Sequence, residues 1–348
     1  MSSLITHDMS LVADIRRRTA AANRNNVSRT AAYLAFYREH PEVHWALLAH
    51  LVSRNGGWSM TDLRGEWLPR LMDEQDIRAF FWFLERSNWL IFHDAYAQLL
   101  LFAEMKRTGT DLTPLLPRLG VSRFMQPVWR EFLAEQDSVR LTRALIVNEQ
   151  QYIEQRVVRK PFAREQVFAN LAFLAQSVLS LNQVLLPYKA HPADRRLSVV
   201  GIAVHNFPSV RQRISVGKTL YRLLFADARR HEAIVRWATR IPHTGSRSDY
   251  WPHLFSPKPH GEAAENVYRP RIDGADLQPG RPKLYSPALS AVWPDVEHAP
   301  ADGVDWYRDE KWQEALEDEE DLPTLDSEAY LRSLRLVEEG LEWITALT

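Results

Sequence analysis

Twelve histidines and no cysteine decide which chemistry this chain can attempt. Without a thiol there is no disulfide, no thiolate nucleophile, no Cys-ligated zinc and no iron–sulfur cluster. Any site must be built from imidazole, carboxylate, guanidinium and hydroxyl groups. Two stretches concentrate them. Residues 40–63 thread Glu42, His44, His50, Arg54 and Asn55 through apolar helical positions and then reach Gly56-Gly57-Trp58. Polar groups placed among apolar ones are either paired or used. Residues 243–253 combine His243, Thr244, Gly245, Ser246, Arg247, Ser248, Asp249 and His253. An Arg fork beside backbone amides near a glycine suits phosphate or carboxylate. The competing reading is a structural loop, in which Asp249 pairs with Arg247 or caps a turn while Tyr250 and Trp251 anchor it.

Metal and phosphate motifs fail on spacing. His40 and His44 are four apart, but Pro41 places His40 at or before a helix start, and His44 and His50 are nearly opposite in helical phase. No metal site is assigned. His93-Asp94, with His50 upstream and Asp227 downstream, matches the ligand order of all-helical metal phosphohydrolases weakly, because dipole stabilisation alone selects an Asp near a helix start. Ser215-Val-Gly-Lys-Thr219 lacks the earlier glycine of a phosphate-binding loop, since position 212 is Gln212. His231-Glu232 lacks a second His at Val235, which removes a zinc ligand.

The elements that must position these groups read as helices through about residue 240. Asn26 or Ser28 caps a helix to about Glu39, with Tyr33, Phe36 and Tyr37 on one face. Pro41 opens the next, and Gly56-Gly57 ends it. A short helical piece covers Thr61–Met72. Asp73 opens a helix through Leu84, and Asn88 opens another that ends at Gly109. Further helices span Thr113–Leu119, Ser122–Glu135, Ser138–Arg159, Pro161–Asn182, Ser209–Phe225 and Asp227–Arg240. Residues 197–204 have strand composition, but no partner strand is visible, so a helix or buried linker is expected there. Residues 241–310 hold half of the 20 prolines together with many aromatics. That texture predicts an ordered, irregular wrap over the helices, because flexible linkers are poor in aromatics. An acidic run, Glu314–Asp321, precedes a closing helix with Leu331, Leu334, Val337, Leu341 and Ile344 on one face. The expected fold is all-α: one helical domain over 1–310, then an acidic linker and C-terminal helix over 311–348.

The net charge of −1 conceals an asymmetry. Residues 301–348 carry 15 Asp+Glu and 4 Lys+Arg, so residues 1–300 carry 29 and 39. A basic body with an acidic tail suits an anionic partner, but the tail can equally pair with the body. Arg16–Arg18, Arg24, Arg29, Arg195-Arg196, Arg211, Arg213 and Arg229-Arg230 raise a nucleic-acid reading, yet they are dispersed and form no recognition helix. No signal peptide and no span of about 18 apolar residues is visible, which leads to the expectation of a soluble cytoplasmic protein.

Four segments, residues 29–37, 41–63, 94–101 and 243–252, resemble the YppC-like family of bacilli, a domain of unknown function. The likeness covers most of residues 10–310. It implies a cytoplasmic bacterial protein and transfers no reaction, cofactor or site. Residue chemistry alone therefore nominates a ligand pocket of Glu42, His44, His50, Arg54 and Asn55 with His243, Ser246, Arg247 and Asp249. The leading expectation is a soluble cytoplasmic binding or interaction protein with a polar pocket, its partner unidentified and an anionic small molecule one candidate. A hydrolase or phosphate-handling enzyme built on His44 or His50 with Arg247 and Asp249 is the alternative, and an Arg-driven nucleic-acid binder is the third. No cofactor is identified.

Overall fold

In the computed structural model of the protein, the described residues are 2–168, 183–204, 206–259, 267–318, 320 and 322–347. They are mostly helical. Helix α1 (Ser2–Ala22) leads to α2 (Asn26–Glu39), which is capped by Asn25: its side chain accepts from Ser28 N while Ser28 Oγ accepts from Asn25 N. That reciprocal box satisfies two otherwise orphaned amides. Tyr33, Phe36 and Tyr37 are all buried, as the helical period requires.

Helix α3 (His44–Asp62) departs from expectation at both ends. Pro41 lies in the preceding turn, and Gly56-Gly57 lies inside the helix. Neither glycine has positive φ, so neither acts as a left-handed stop. Gly57 is small for a tertiary reason. A Cβ there would lie 2.4 Å from both Asn26 Oδ1 and His243 Nε2.

Helix α4 (Glu74–Thr108) merges two expected helices into one of 35 residues. Asp73 caps its start and Gly109, at φ 66°, ends it. Asn88 does not open a new helix, because its amide donates back to Leu84 O at 2.8 Å. Helices α5 (Met125–Glu135) and α6 (Ser138–Ile153) follow, the latter capped by Asp137, not Ser138. The helix expected over Pro161–Asn182 is seen through Phe168 with π-type turns; residues 169–182 lie outside the described residues. Helices α7 (Val210–Phe225) and α8 (Ala228–Arg240) begin at their expected caps, Ser209 and Asp227.

The all-α expectation needs a correction. Strands β1 (Gln183–Tyr188), β2 (Ser198–Ala203) and β3 (Thr324–Asp326) form an antiparallel sheet in the order β1-β2-β3. Residues 198–203 are thus a strand and not a helix or linker. Leu185 pairs with Gly201, and Gly201 with Leu325. The partner was hidden because β1 reads as a continuous apolar run without alternation, and β3 lies far along the chain. Gly201 permits the approach, since a Cβ there would stand 2.2 Å from Val184 O.

Beyond Arg240 the chain is largely irregular. Its described part crosses α3, α4 and α6: Trp293 stacks on Phe81 with centroids 3.8 Å apart, and Trp306 Nε1 donates to Asn148 Oδ1. Helix α9 (Lys311–Glu317) sits in the acidic stretch, and the Lys218 ammonium donates to the carbonyls of Ala315, Leu316 and Asp318. Helix α10 (Ser327–Leu347) buries Tyr330, Leu334, Val337 and Leu341. No helix among the described residues is long and apolar enough to cross a membrane.

Candidate functional site

The segment after α8 is shaped by its own short-range bonds. Asp249 accepts from Thr244 N at 2.9 Å and from Thr244 Oγ1 at 2.6 Å. Gly245 takes φ 87°, and a Cβ there would meet Leu289 Cβ at 2.9 Å. Glycine is therefore required twice over, for conformation and for space. Ser246 accepts from Ser248 N and donates to Ser286 O, which ties the loop to the chain at 286.

Residues 50–58 and 243–249 meet. His243 Nε2 bonds Asn26 Oδ1 at 2.8 Å, and Arg54 Nη2 donates to Ile241 O at 2.8 Å. The Asn26 amide donates to Ser53 O, so its oxygen must accept and His243 Nε2 must carry a proton. His243 Nδ1 then faces Asp249 Oδ2 at 3.4 Å, and Arg54 Nη2 stands 3.9 Å from the same oxygen. The guanidinium of Arg54 also lies 4.1 Å over the Trp237 ring.

Burial governs the charges here. It lowers the His243 pKa, against the opposing pull of Asp249. It pushes His50 down to about 3, with Arg54 adding to the shift, so His50 is a neutral ring donating Nδ1–H to Thr30 O at 2.8 Å. Burial pushes Arg54 down to about 10, which still leaves it cationic at neutral pH. Burial pushes Asp249 up, but contacts with His243 and Thr244 prevail and hold it below its ordinary value. Arg54 Nε and Nη1, His50 Nε2 and His243 Nδ1 are buried without a hydrogen-bond partner.

The other nominated residues serve elsewhere. Glu42 pairs with Lys106 at 2.6 Å near the surface. His44 stacks on Phe225 with centroids 4.1 Å apart and bonds the Tyr221 hydroxyl; burial lowers its pKa to about 4. Asn55 clamps Leu185 of β1, accepting from its N–H and donating to its carbonyl. Arg247 is consumed by structure: it grips Asp62 through Nε and Nη2, and its Nη1 donates to Tyr250 and Tyr330 hydroxyls at 2.7 Å each. Those contacts join the ends of α3 and α10 and leave no free fork for an anion. Asp94 is held by Gln98 and Asn148, and His93 stacks on Trp89. Among the described residues no three His, Asp or Glu groups converge as a metal site.

In front of His243 and Thr244 lies a cleft of about 340 Å³. Its other walls come from Arg24 and Asn25 at the start of α2, from Phe81 and Glu85 of α4, and from Ser290, Trp293 and Asp295. Glu85 is the chemically pointed member. It forms a buried ion pair with Arg29 through Oε2, while Oε1 makes no hydrogen bond and faces His298 Nε2 at 3.6 Å. Trp293 has both faces covered, by Phe81 and by the Arg64 guanidinium at 4.6 Å. Sequence reasoning missed Glu85, Asn26, Ser290 and Asp295, which come from separate elements and share no spacing.

Comparison with known proteins places the chain among relatives without an assigned activity. A family model described as protein of unknown function (DUF2515) matches residues 21–334. The chain is similar to the uncharacterized protein YppC of Bacillus subtilis (strain 168), 37% identical over 299 residues that make up 85% of this chain and 83% of that protein. No solved structure matches.

Proposed function

We propose, for a chain that belongs to the DUF2515 family, a role in binding a small molecule in the cleft fronted by His243, Thr244 and Glu85. One observation carries the reading: Glu85, whose Oε1 makes no hydrogen bond and has His298 Nε2 at 3.6 Å, lines a cleft whose volume, about 340 Å³, is of ligand size. An unpaired acceptor calls for a donor. Asp295, which accepts from the Asn25 amide, adds a second carboxylate to the wall, and among the described residues Arg24 is its one Lys or Arg member. The ligand is therefore an amine, amidine or other N–H donor with a compact apolar body, and not an anion.

Binding is favoured over catalysis by what the loop side chains already do. Thr244 is held by Asp249, Ser246 by Ser286, and Arg247 by Asp62 and two tyrosines. No hydroxyl among them stands against a free base, as an activated nucleophile requires. The Arg-driven nucleic-acid reading gains nothing from Arg29 and Arg213, which are buried in ion pairs with Glu85 and Glu154. The absence of cysteine suits a reducing compartment such as the cytoplasm.

The test compares benzamidine with benzoate, two probes of one shape and opposite charge. Benzamidine is expected to raise the melting temperature and benzoate to leave it unchanged. Ser290→Trp, at an exposed position in the cleft wall, is expected to abolish the benzamidine effect without lowering the melting temperature of the free protein. Equal responses to both probes, or a benzamidine effect that survives the substitution, would sink this reading.

A further inference from the structure

Most buried carboxylates in this protein have an evident structural partner. Glu85 has Arg29, Glu154 has Arg213 and Arg159, and Glu338 accepts from the Tyr268 hydroxyl and the amides of Arg271 and Ile272. Glu149, on α6 and part-buried, is different, as is Asp94, whose Oδ1 has no hydrogen-bond partner. Glu149 forms no ion pair among the described residues, and its contacts are the Gln150 amide at 3.1 Å and the Trp45 indole. Burial, with the Asp94 charge adding to it, pushes its pKa up to about 8. At neutral pH burial favours its protonated, carboxylic acid form. Gln150 and Trp45 both donate to it, so neither can accept that proton.

Glu149 also lines a cavity. A space of about 150 Å³ opens where α2, α3, α4, α6, α7 and β1 converge, lined by residues other than those of the first cleft and joined to it through the Arg29–Glu85 ion pair. Trp45, Leu48, Ile91, Val216 and Leu220 supply apolar walls, and Val52, 38% exposed, lies at its rim. Arg29, Ser53, Asn88, Gln150 and Arg213 add polar edges to the same wall. Perturbed acids in pockets mark sites.

We propose that this cavity is a second ligand site, which takes a compact apolar molecule of about benzene size whose carbonyl oxygen accepts a hydrogen bond from the Glu149 carboxyl. The apolar body adds contacts along Leu48, Ile91 and Leu220, and the carbonyl gives the Glu149 carboxyl an acceptor. The titratable and charged groups around it are Tyr33 and Arg29 from α2, Asp94 from α4 and Arg213 from α7.

Cyclohexanone and benzene, titrated separately into the full chain and followed by isothermal calorimetry, distinguish the acceptor from mere bulk. Cyclohexanone is expected to bind about tenfold more tightly at about pH 7, the worth of one hydrogen bond. Its affinity is expected to fall about tenfold from about pH 7 to about pH 9, as a group with a pKa of about 8 loses its proton. Glu149→Gln keeps a donor and the shape, so it is expected to bind the ketone without that pH dependence. Ala49→Phe, which fills the cavity, is expected to abolish binding of both probes and to spare benzamidine binding at the cleft. If Ala49→Phe does not fold, the Glu149→Gln comparison decides alone. Equal affinity for the two probes, no binding of either, or an unchanged pH profile in Glu149→Gln overturns the proposal.

Discussion

Gly56 and Gly57 are neighbours in one helix, yet their replacement by alanine should have different consequences. Each substitution gains about 1 kcal/mol of helix propensity in a helix interior. At Gly57 the new methyl would stand 2.4 Å from Asn26 Oδ1 and from His243 Nε2, and 2.8 Å from His243 Cε1. It would therefore wedge apart a buried pair that is bonded at 2.8 Å. Overpacking costs about 1–3 kcal/mol, and loss of the buried hydrogen bond costs about 1–3 kcal/mol more. The propensity gain offsets only part, leaving Gly57→Ala destabilised by about 1–5 kcal/mol. At Gly56 the methyl would meet the end of one side chain, the Asn88 amide at 3.2 and 3.3 Å. A shift of that side chain by a few tenths of an ångström suffices, so set against the propensity gain Gly56→Ala is expected within about 1 kcal/mol of the parent. Urea unfolding followed by tryptophan fluorescence measures both, with the midpoint compared at equal slope. A Gly57→Ala protein as stable as the parent, or a Gly56→Ala protein that is the weaker of the two, would refute the reasoning.

Other expectations can be checked in the same way. Arg247→Met strands the Asp62 carboxylate and two buried hydroxyls, and should lose about 3–5 kcal/mol in denaturant titration. Arg247→Lys should rescue little of it, because an ammonium cannot reproduce the fork. Burial raises the pKa of Glu149 from 4.5 to about 8 and that of Asp94 from 3.8 to about 7. Between the unfolded and folded values the native state binds more protons, so stability should fall as pH rises from about 5 to about 8. The combined Glu149→Gln and Asp94→Asn substitutions should flatten that slope, and an unchanged slope would show that other groups set it. Lys218→Ala removes the donor to three carbonyls at the end of α9. Limited proteolysis should then cut within residues 311–318 faster than in the parent.

Much of the helical framework was legible because its signals are local. Asp73, Ser209 and Asp227 begin helices where their side chains accept backbone amides within the next few residues, and Gly109 ends α4 in the left-handed conformation. The failures have one origin. Asn88 looked like a cap until its amide was seen to turn back to Leu84, and residues 198–203 looked partnerless until β1 and β3 supplied both edges. Local composition allows such alternatives, and tertiary contacts choose among them.

By itself the sequence determined which chemical groups were available, where polar side chains enter apolar helices, and that the first stretch and the 243–249 loop were unusual. Only the tertiary structure decided what those groups do. It brought Arg54 to Ile241 and Asn26 to His243, committed Arg247 to Asp62, and placed Glu85 in the wall of a cleft. The physical reason is range. A cap or a turn is settled over a few residues, whereas a buried charge finds its partner by the packing of elements some 200 positions apart.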